Sequence, residues 1–227
     1  MNKPTESISY QPRQVQLLQQ LVRKGEGARL EFKRKASNPE KIAREMIAFA
    51  NTDGGTLLVG IGDDGSIPGL KYPEDDAHVV NEILKRVRPA LPLTETFIAL
   101  GHNRTVIQYD IQKSEQKPHH FLNTNQVKES FVRVEDKSIK ASREVREIIR
   151  RQQKQKDIQF RYGEHEQFLM KYLDEHKHIT LKEFVSLTGM KRFYASKKLV
   201  LLVLADVLRV SPHEKGDVYS IAYRKVS

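Results

Sequence analysis

Two stretches of the sequence hold residues whose types and spacing suit chemistry on phosphates. Gly60-Ile61-Gly62-Asp63-Asp64-Gly65 satisfies G-x-G-x-x-G directly after an apolar run, and a turn of this kind lets backbone approach a pyrophosphate when it opens a helix. Here Ser66-Ile67-Pro68-Gly69 follows instead, and two aspartates would repel the phosphates. We read the stretch as a strand end and a turn, not as a dinucleotide site. No G-x-x-x-x-G-K-[ST] segment occurs, so a P-loop enzyme is not supported. The second stretch carries Lys191, Arg192, Lys197 and Lys198, with Tyr194 and Ser196 among them. Cations and hydroxyls near the start of a helix can contact phosphates or base edges, and Arg209 and Lys215 downstream are further candidates for the nucleic-acid backbone. A solvated helix face or a protein-binding surface would use the same residues. His119-His120 follows Pro118 and has no carboxylate or histidine at a recognisable ligand spacing, so it reads as a loop pair without metal. No serine and histidine arrangement supports a hydrolytic triad.

The elements that must position these residues are legible from periodicity. Val15, Leu18, Leu21 and Val22 make one stripe on a helix expected over Pro12–Lys24, with Pro12 suited to its first turn. In ARLEFKR the alternation puts Leu30 and Phe32 on one face and Arg29, Glu31 and Lys33 on the other, the pattern of a half-buried strand. Asn38-Pro39 opens a helix ending near Asn51, with Ile42, Met46 and Phe49 inward. TLLVGI reads as a strand buried on both faces. A helix is expected from Asp75 to Arg88, stopped by Pro89; ETFIALG and TVIQYDI around His102-Asn103 form a hairpin; SFVRVED is a later strand before the helix SREVREIIRRQQKQK.

Beyond Lys156 the pattern changes. Phe168, Leu169, Tyr172 and Leu173 mark one helix, Thr180-Leu181-Lys182-Glu183 has capping-box spacing for a second that ends at Gly189, and a third runs from about Met190 to Ala205. LRVSP and VYSIAY flank the turn HEKGD. Three helices and a β-hairpin in this order describe a winged helix-turn-helix. The expected organisation is a mixed α/β domain over residues 1–150, a linker or solvated helix end over 151–160, and a small winged-helix domain over 161–227.

Composition narrows the partners. The chain of 227 residues has 39 Lys and Arg against 29 Asp and Glu, a net charge of +10 that favours a polyanion. Residues 151–227 hold 15 basic and 9 acidic side chains, residues 1–150 hold 24 and 20, so the excess coincides with the expected reading helix. The absence of cysteine excludes disulfides and thiolate metal sites. MNKPTESISYQPRQVQ has no apolar signal core, and Leu199–Ala205 is the longest apolar run, too short for a bilayer. The expected address is the cytoplasm, with no membrane partner.

Taken together, GEGARLEFKRK, IAREMIAFANTDGGTLLVGIGDDGSIPGL and ESFVRVEDKSIKAS resemble, in order and at normal separation, the three signature regions of the Schlafen-type, AlbA-like domain. The resemblance covers roughly residues 15–150, and FANTDGGTLLVGIGDDG is its most specific part. It implies nucleic-acid binding. The family's RNA-cleaving members use two glutamates five residues apart and an aspartate after the Gly-Val strand end, which the resemblance carries onto Glu26, Glu31 and Asp63, with Asp64 in reserve because Gly62 stands where a first Asp is common. Such acids suit Mg²⁺ or Mn²⁺, with Lys33 and Arg29 bordering the groove as phosphate contacts. Two functions are therefore expected of this sequence. The favoured one is a DNA-binding transcriptional regulator that needs no cofactor; the alternative is a metal-dependent endoribonuclease acting on structured RNA. DNA or RNA is the partner, and a homodimer stays open.

Overall fold

A computed structural model of the chain describes residues 10–153 and 162–222. In its first part, α1 (Pro12–Val22) starts with proline in its first turn, where the missing N–H and fixed φ fit a helix start. β1 (Leu30–Lys33) follows, then α2 (Pro39–Asn51), whose first turn is capped by the Asn38 side chain accepting from the Lys41 N–H at 3.0 Å. β2 (Gly55–Val59) returns parallel to β1, with Phe32 opposite Leu58 and Glu31 opposite Leu57. After α3 (Pro73–Leu84) and the short β3 (Val87–Arg88) come β4 (Leu93–Gly101) and β5 (Arg104–Ile111). These two form the expected hairpin around His102-Asn103, both at positive φ. β6 (His120–Leu122), β7 (Lys128–Glu129), β8 (Phe131–Val134) and β9 (Lys137–Lys140) complete this stretch.

The main sheet has the order β1-β2-β5-β4, and β3-β6-β7 form a second, smaller one. Successive strand residues point to opposite faces, so the main sheet carries two cores. Leu30, Phe32, Leu58 and Val106 pack with Leu18 and Val22 of α1 on one face. Leu57, Val59, Ile107 and Tyr109 pack with Ile42, Met46 and Phe49 of α2 and Val80 of α3 on the other. Each fully buried side chain of this size contributes about 1.5–3 kcal/mol relative to exposure. The α2–β2 connection is tight enough to require glycine: a Cβ on Gly55 would stand 2.5 Å from the Phe49 ring.

The second part contains α4 (Arg143–Gln152), α5 (Glu164–His176), β10 (Ile179–Thr180), α6 (Leu181–Thr188), α7 (Arg192–Leu204), β11 (Leu208–Ser211) and β12 (Val218–Ile221). Its sheet has the order β10-β12-β11. The core joins Ile148 of α4 to Leu169, Leu173, Phe184, Leu199, Leu202 and Tyr219. Both caps read from the sequence form: Thr180 and Glu183 make a reciprocal capping box, and Gly189 ends α6 in the left-handed conformation at φ 65°.

Several boundaries differ from expectation. The chain divides into compact units Met1–Ser138 and Ile139–Ser227, earlier than the expected boundary, so α4 belongs with the second unit. α1 stops at Val22. The helix expected over Asp75–Arg88 is α3, which gives way after Leu84 because Val87 and Arg88 pair with Phe121 and His120. That pairing also places His120 in a strand, not a loop. The expected linker at 151–160 begins as the end of α4, and residues 154–161 lie outside the described ones. No helix among the described residues is long and apolar enough to cross a membrane.

Candidate nucleic-acid interface

In the first unit the loop before β1 carries Glu26. Its carboxylate accepts from the backbone N–H of Phe32 at 2.8 Å, while Gly27 exchanges backbone hydrogen bonds with Leu30. Glu26 thereby reaches the α1 side of the sheet, where a cavity of about 560 Å³ is lined by Arg23, Glu26, Phe32, Asp63 and Asp64. The G-x-G-x-x-G segment closes this cavity as a turn, with the Gly62 N–H donating to Ser66 O and the Gly65 N–H to Gly62 O. Asp64 accepts from the Ser66 N–H at 2.9 Å, and its bonds to Ser66 hold its carboxyl below the usual carboxylate range. Asp63 is exposed.

Glu31 lies elsewhere. Its register partner Leu57 belongs to the α2 face, so β1 alternation aims Glu31 away from Glu26 and Asp63. There it is only 8% exposed. One oxygen pairs with Lys33, and the other accepts from Arg133 at 2.8 Å. Arg133 also donates to Glu45 at 2.7 Å and to the Gly27 carbonyl at 2.9 Å, with its guanidinium 5.0 Å from the Phe49 ring centroid. The strand face expected to meet solvent is therefore covered, and its charges are matched as two acids against two bases. Glu45, buried and beside Glu31, has its carboxyl pushed up by desolvation first of all, although Ser138 and Arg133 oppose the shift. Among the described residues no group of three or more His, Asp or Glu side chains is placed to hold a metal ion. Glu26, Glu31 and Asp63 do not converge, and the donors do not fit a Mg²⁺ or Mn²⁺ site built on all three.

Of the cations expected beside that site, Lys33 is held by Glu31 and by the Phe32 carbonyl, and Arg29 reaches the backbone carbonyl of Asp53. His119 is fully buried; its Nδ1 lies 2.9 Å from the Pro89 carbonyl, and its backbone is clasped by the Asn51 side chain. Sequence reasoning passed over Arg133, whose signal was a lone arginine inside the apolar strand SFVRV.

The second unit presents the basic face. Lys191, Arg192 and Lys197 are exposed on and just before α7, as are Phe193 and Tyr194. Lys198 differs: it pairs with Glu166 of α5, whose carboxyl burial pushes up but which this bond and the backbone N–H groups of Gly163 and Glu166 together hold below the usual range. Ser196 donates to Glu144 at 2.6 Å. Arg209 is exposed on β11, and Lys215 is exposed in the turn between β11 and β12.

The family model described as Schlafen, AlbA_2 matches residues 26–142. No curated protein matches the chain. Among solved structures, the DIP2311 protein from Corynebacterium diphtheriae is 24% identical over 59% of this chain and 28% of its own, with a TM-score of 0.38. The N-terminal domain of a RecG-related protein from Nitrosomonas europaea is 27% identical over 48% of this chain and 80% of its own, also with a TM-score of 0.38. The chain thus spans little more than a quarter of the length of the DIP2311 protein.

Proposed function

Because this chain belongs to the Schlafen, AlbA_2 family over residues 26–142, we propose that it binds nucleic acid and acts as a DNA-binding regulator of transcription. The second unit serves as a winged helix, α7 enters the major groove, and the β11–β12 hairpin is the wing. The observation that carries this reading is the side-by-side exposure of Lys191, Arg192 and Lys197 on the one helix whose opposite face, Leu199, Leu202 and Val203, is committed to the core. Cations fixed on a rigid element can neutralise phosphates without distorting the fold. The element order α5, β10, α6, α7, β11, β12 supports the same reading.

The alternative, a Mg²⁺- or Mn²⁺-dependent ribonuclease, draws no support from the geometry, because Glu31 sits across the sheet from Glu26 and Asp63 in the grip of Arg133. The test is anisotropy of a labelled DNA duplex with the full chain and with Lys191→Ala, Arg192→Ala and Lys197→Ala combined. Lys198 is left intact to preserve its bond to Glu166. Affinity is expected to fall about tenfold or more with the melting temperature unchanged; unchanged affinity in the folded variant would point to a protein-binding face instead.

A further inference from the structure

The second unit contains a cavity that the reading above does not use. It lies between α4 and α7, measures about 650 Å³, and is lined by Arg143, Arg150 and Arg151 from α4 and by Arg192, Phe193 and Lys197 from α7. Two acids share it, and both are engaged: Glu147 pairs with Arg150, and Glu144, 7% exposed, accepts from Ser196. Among the described residues no carboxylate pairs with Arg143, Arg151, Arg192 or Lys197. These four cations outnumber the one cleft carboxylate that has no ion-pair partner among the described residues, Glu144, and the excess positive charge is relieved by an anion. Arginine is suited to that anion being a phosphate, since its planar fork donates two parallel hydrogen bonds.

Two further observations select a polymer over a single small anion. Arg143 and Arg151 are two turns apart, so their Cα atoms stand about 12 Å apart along α4, several times the axial spacing of roughly 3.4 Å between phosphates of one DNA strand. Arginines spaced in this way can each take a different phosphate of one strand. Phe193 is 59% exposed at the cleft and meets Tyr194 edge-on at 5.5 Å between centroids, so an apolar surface continues along α7 beside the cations. Exposed rings next to unpaired cations suit the sugars and thymine methyl groups that line a DNA groove.

We propose that the α4–α7 cleft grips the sugar–phosphate backbone of one DNA strand beside the groove that α7 enters, with Arg143 and Arg151 on phosphates and Phe193 against the sugar edge. This rests on the nucleic-acid reading and extends the footprint from α7 to α4. The chain has no tryptophan, so Phe193→Trp gives a single reporter in the full-length protein. Its emission is expected to change on titration with a duplex at concentrations that saturate binding, and to stay constant with inorganic phosphate. A response to adenosine monophosphate as strong and as tight as that to duplex would overturn the proposal in favour of a small-nucleotide cleft. Separately, Arg143→Gln with Arg151→Gln should weaken duplex binding about tenfold and make the plot of log affinity against log salt shallower by about 0.9 per lost contact, at unchanged circular dichroism. Duplex binding that survives this pair with an unaltered slope sinks the cleft alone. Wild-type protein that shows no salt-dependent duplex binding at all sinks the underlying reading as well.

Discussion

Arg133 acts as a strut: with 2% of its side chain exposed, it joins β8 to Glu31 on β1, to Glu45 on α2 and to the Gly27 carbonyl in the loop that carries Glu26. Removing one partner from a buried ionic group strands the others without water, which costs about 3–5 kcal/mol. Arg133→Ala is therefore expected to lower the unfolding free energy by that order, leaving Glu45 without its cation and Glu31 with Lys33 alone. A loss below about 1 kcal/mol in chemical denaturation would show that water reaches them. The sequence revealed which way Glu31 points but not what covers it, since strand alternation is local and its partner Arg133 is 102 residues away. His119 gives a second test. Burial holds its imidazole below the ordinary range, although the Pro89 carbonyl pulls the other way. As pH falls from about 6.5, the unfolded chain takes up a proton that the folded chain still refuses, so stability drops with acidification. Glu45 has the opposite sign: its raised carboxyl binds a proton more readily in the folded chain, so it favours the fold as pH falls. Melting at pH 7.5 and 5.5 should thus show a smaller acid-induced loss for His119→Asn than for the wild type, with the Glu45 contribution common to both; equal losses would remove His119 from the account.

Elements defined by their own sequence were the legible ones. Asn38 before Pro39, Thr180 before Leu181-Lys182-Glu183, and Gly189 after Thr188 each state a helix end in three or four neighbouring residues, and all three ends form as written. The hairpin around His102-Asn103 is similarly local, its turn residues tolerating the positive φ that tight hairpins demand. Illegible elements depend on remote partners. Val87-Arg88 continues the apolar spacing of α3 yet leaves it to pair with His120-Phe121, and Ile179-Thr180 becomes a strand only because Tyr219 and Val218 lie alongside. Thr180 serves both roles, ending a strand and capping α6 through hydrogen bonds with Glu183. Thr180→Ala is expected to destabilise the second unit by about 1 kcal/mol, within the usual range for a lost N-cap. Thr180→Ser, which keeps the hydroxyl, should recover most of it. If the two variants melt alike, the capping hydroxyl is not what holds the start of α6.

At the scale of the whole molecule, charge is the property that sequence reading captured and structure distributes. The net +10 and the basic excess in residues 151–227 were visible at once. That α4 would fold with the second unit was not, because Val145, Ile148 and Ile149 announce a buried stripe without saying which core receives it. Its placement adds four arginines, three of them at the α4–α7 cleft, to the unit that already carries Lys191, Arg192 and Lys197. The first unit neutralises its central charges internally through Glu31, Lys33, Glu45 and Arg133, so DNA affinity should depend on the second. On the proposed DNA-binding function, counterion release governs binding to duplex, and log affinity should fall linearly with log salt. Each phosphate contact contributes about 0.9 to that slope, so the combined Lys191→Ala, Arg192→Ala and Lys197→Ala chain should give a line shallower by up to about 2.7. By the same reasoning, Arg29→Ala in the first unit should leave the slope unchanged, since Arg29 is spent on the Asp53 carbonyl. A wild-type line that is flat between low and physiological salt would remove nucleic acid as the ligand, and a slope lost with Arg29 but kept without the α7 cations would move the interface to the first unit.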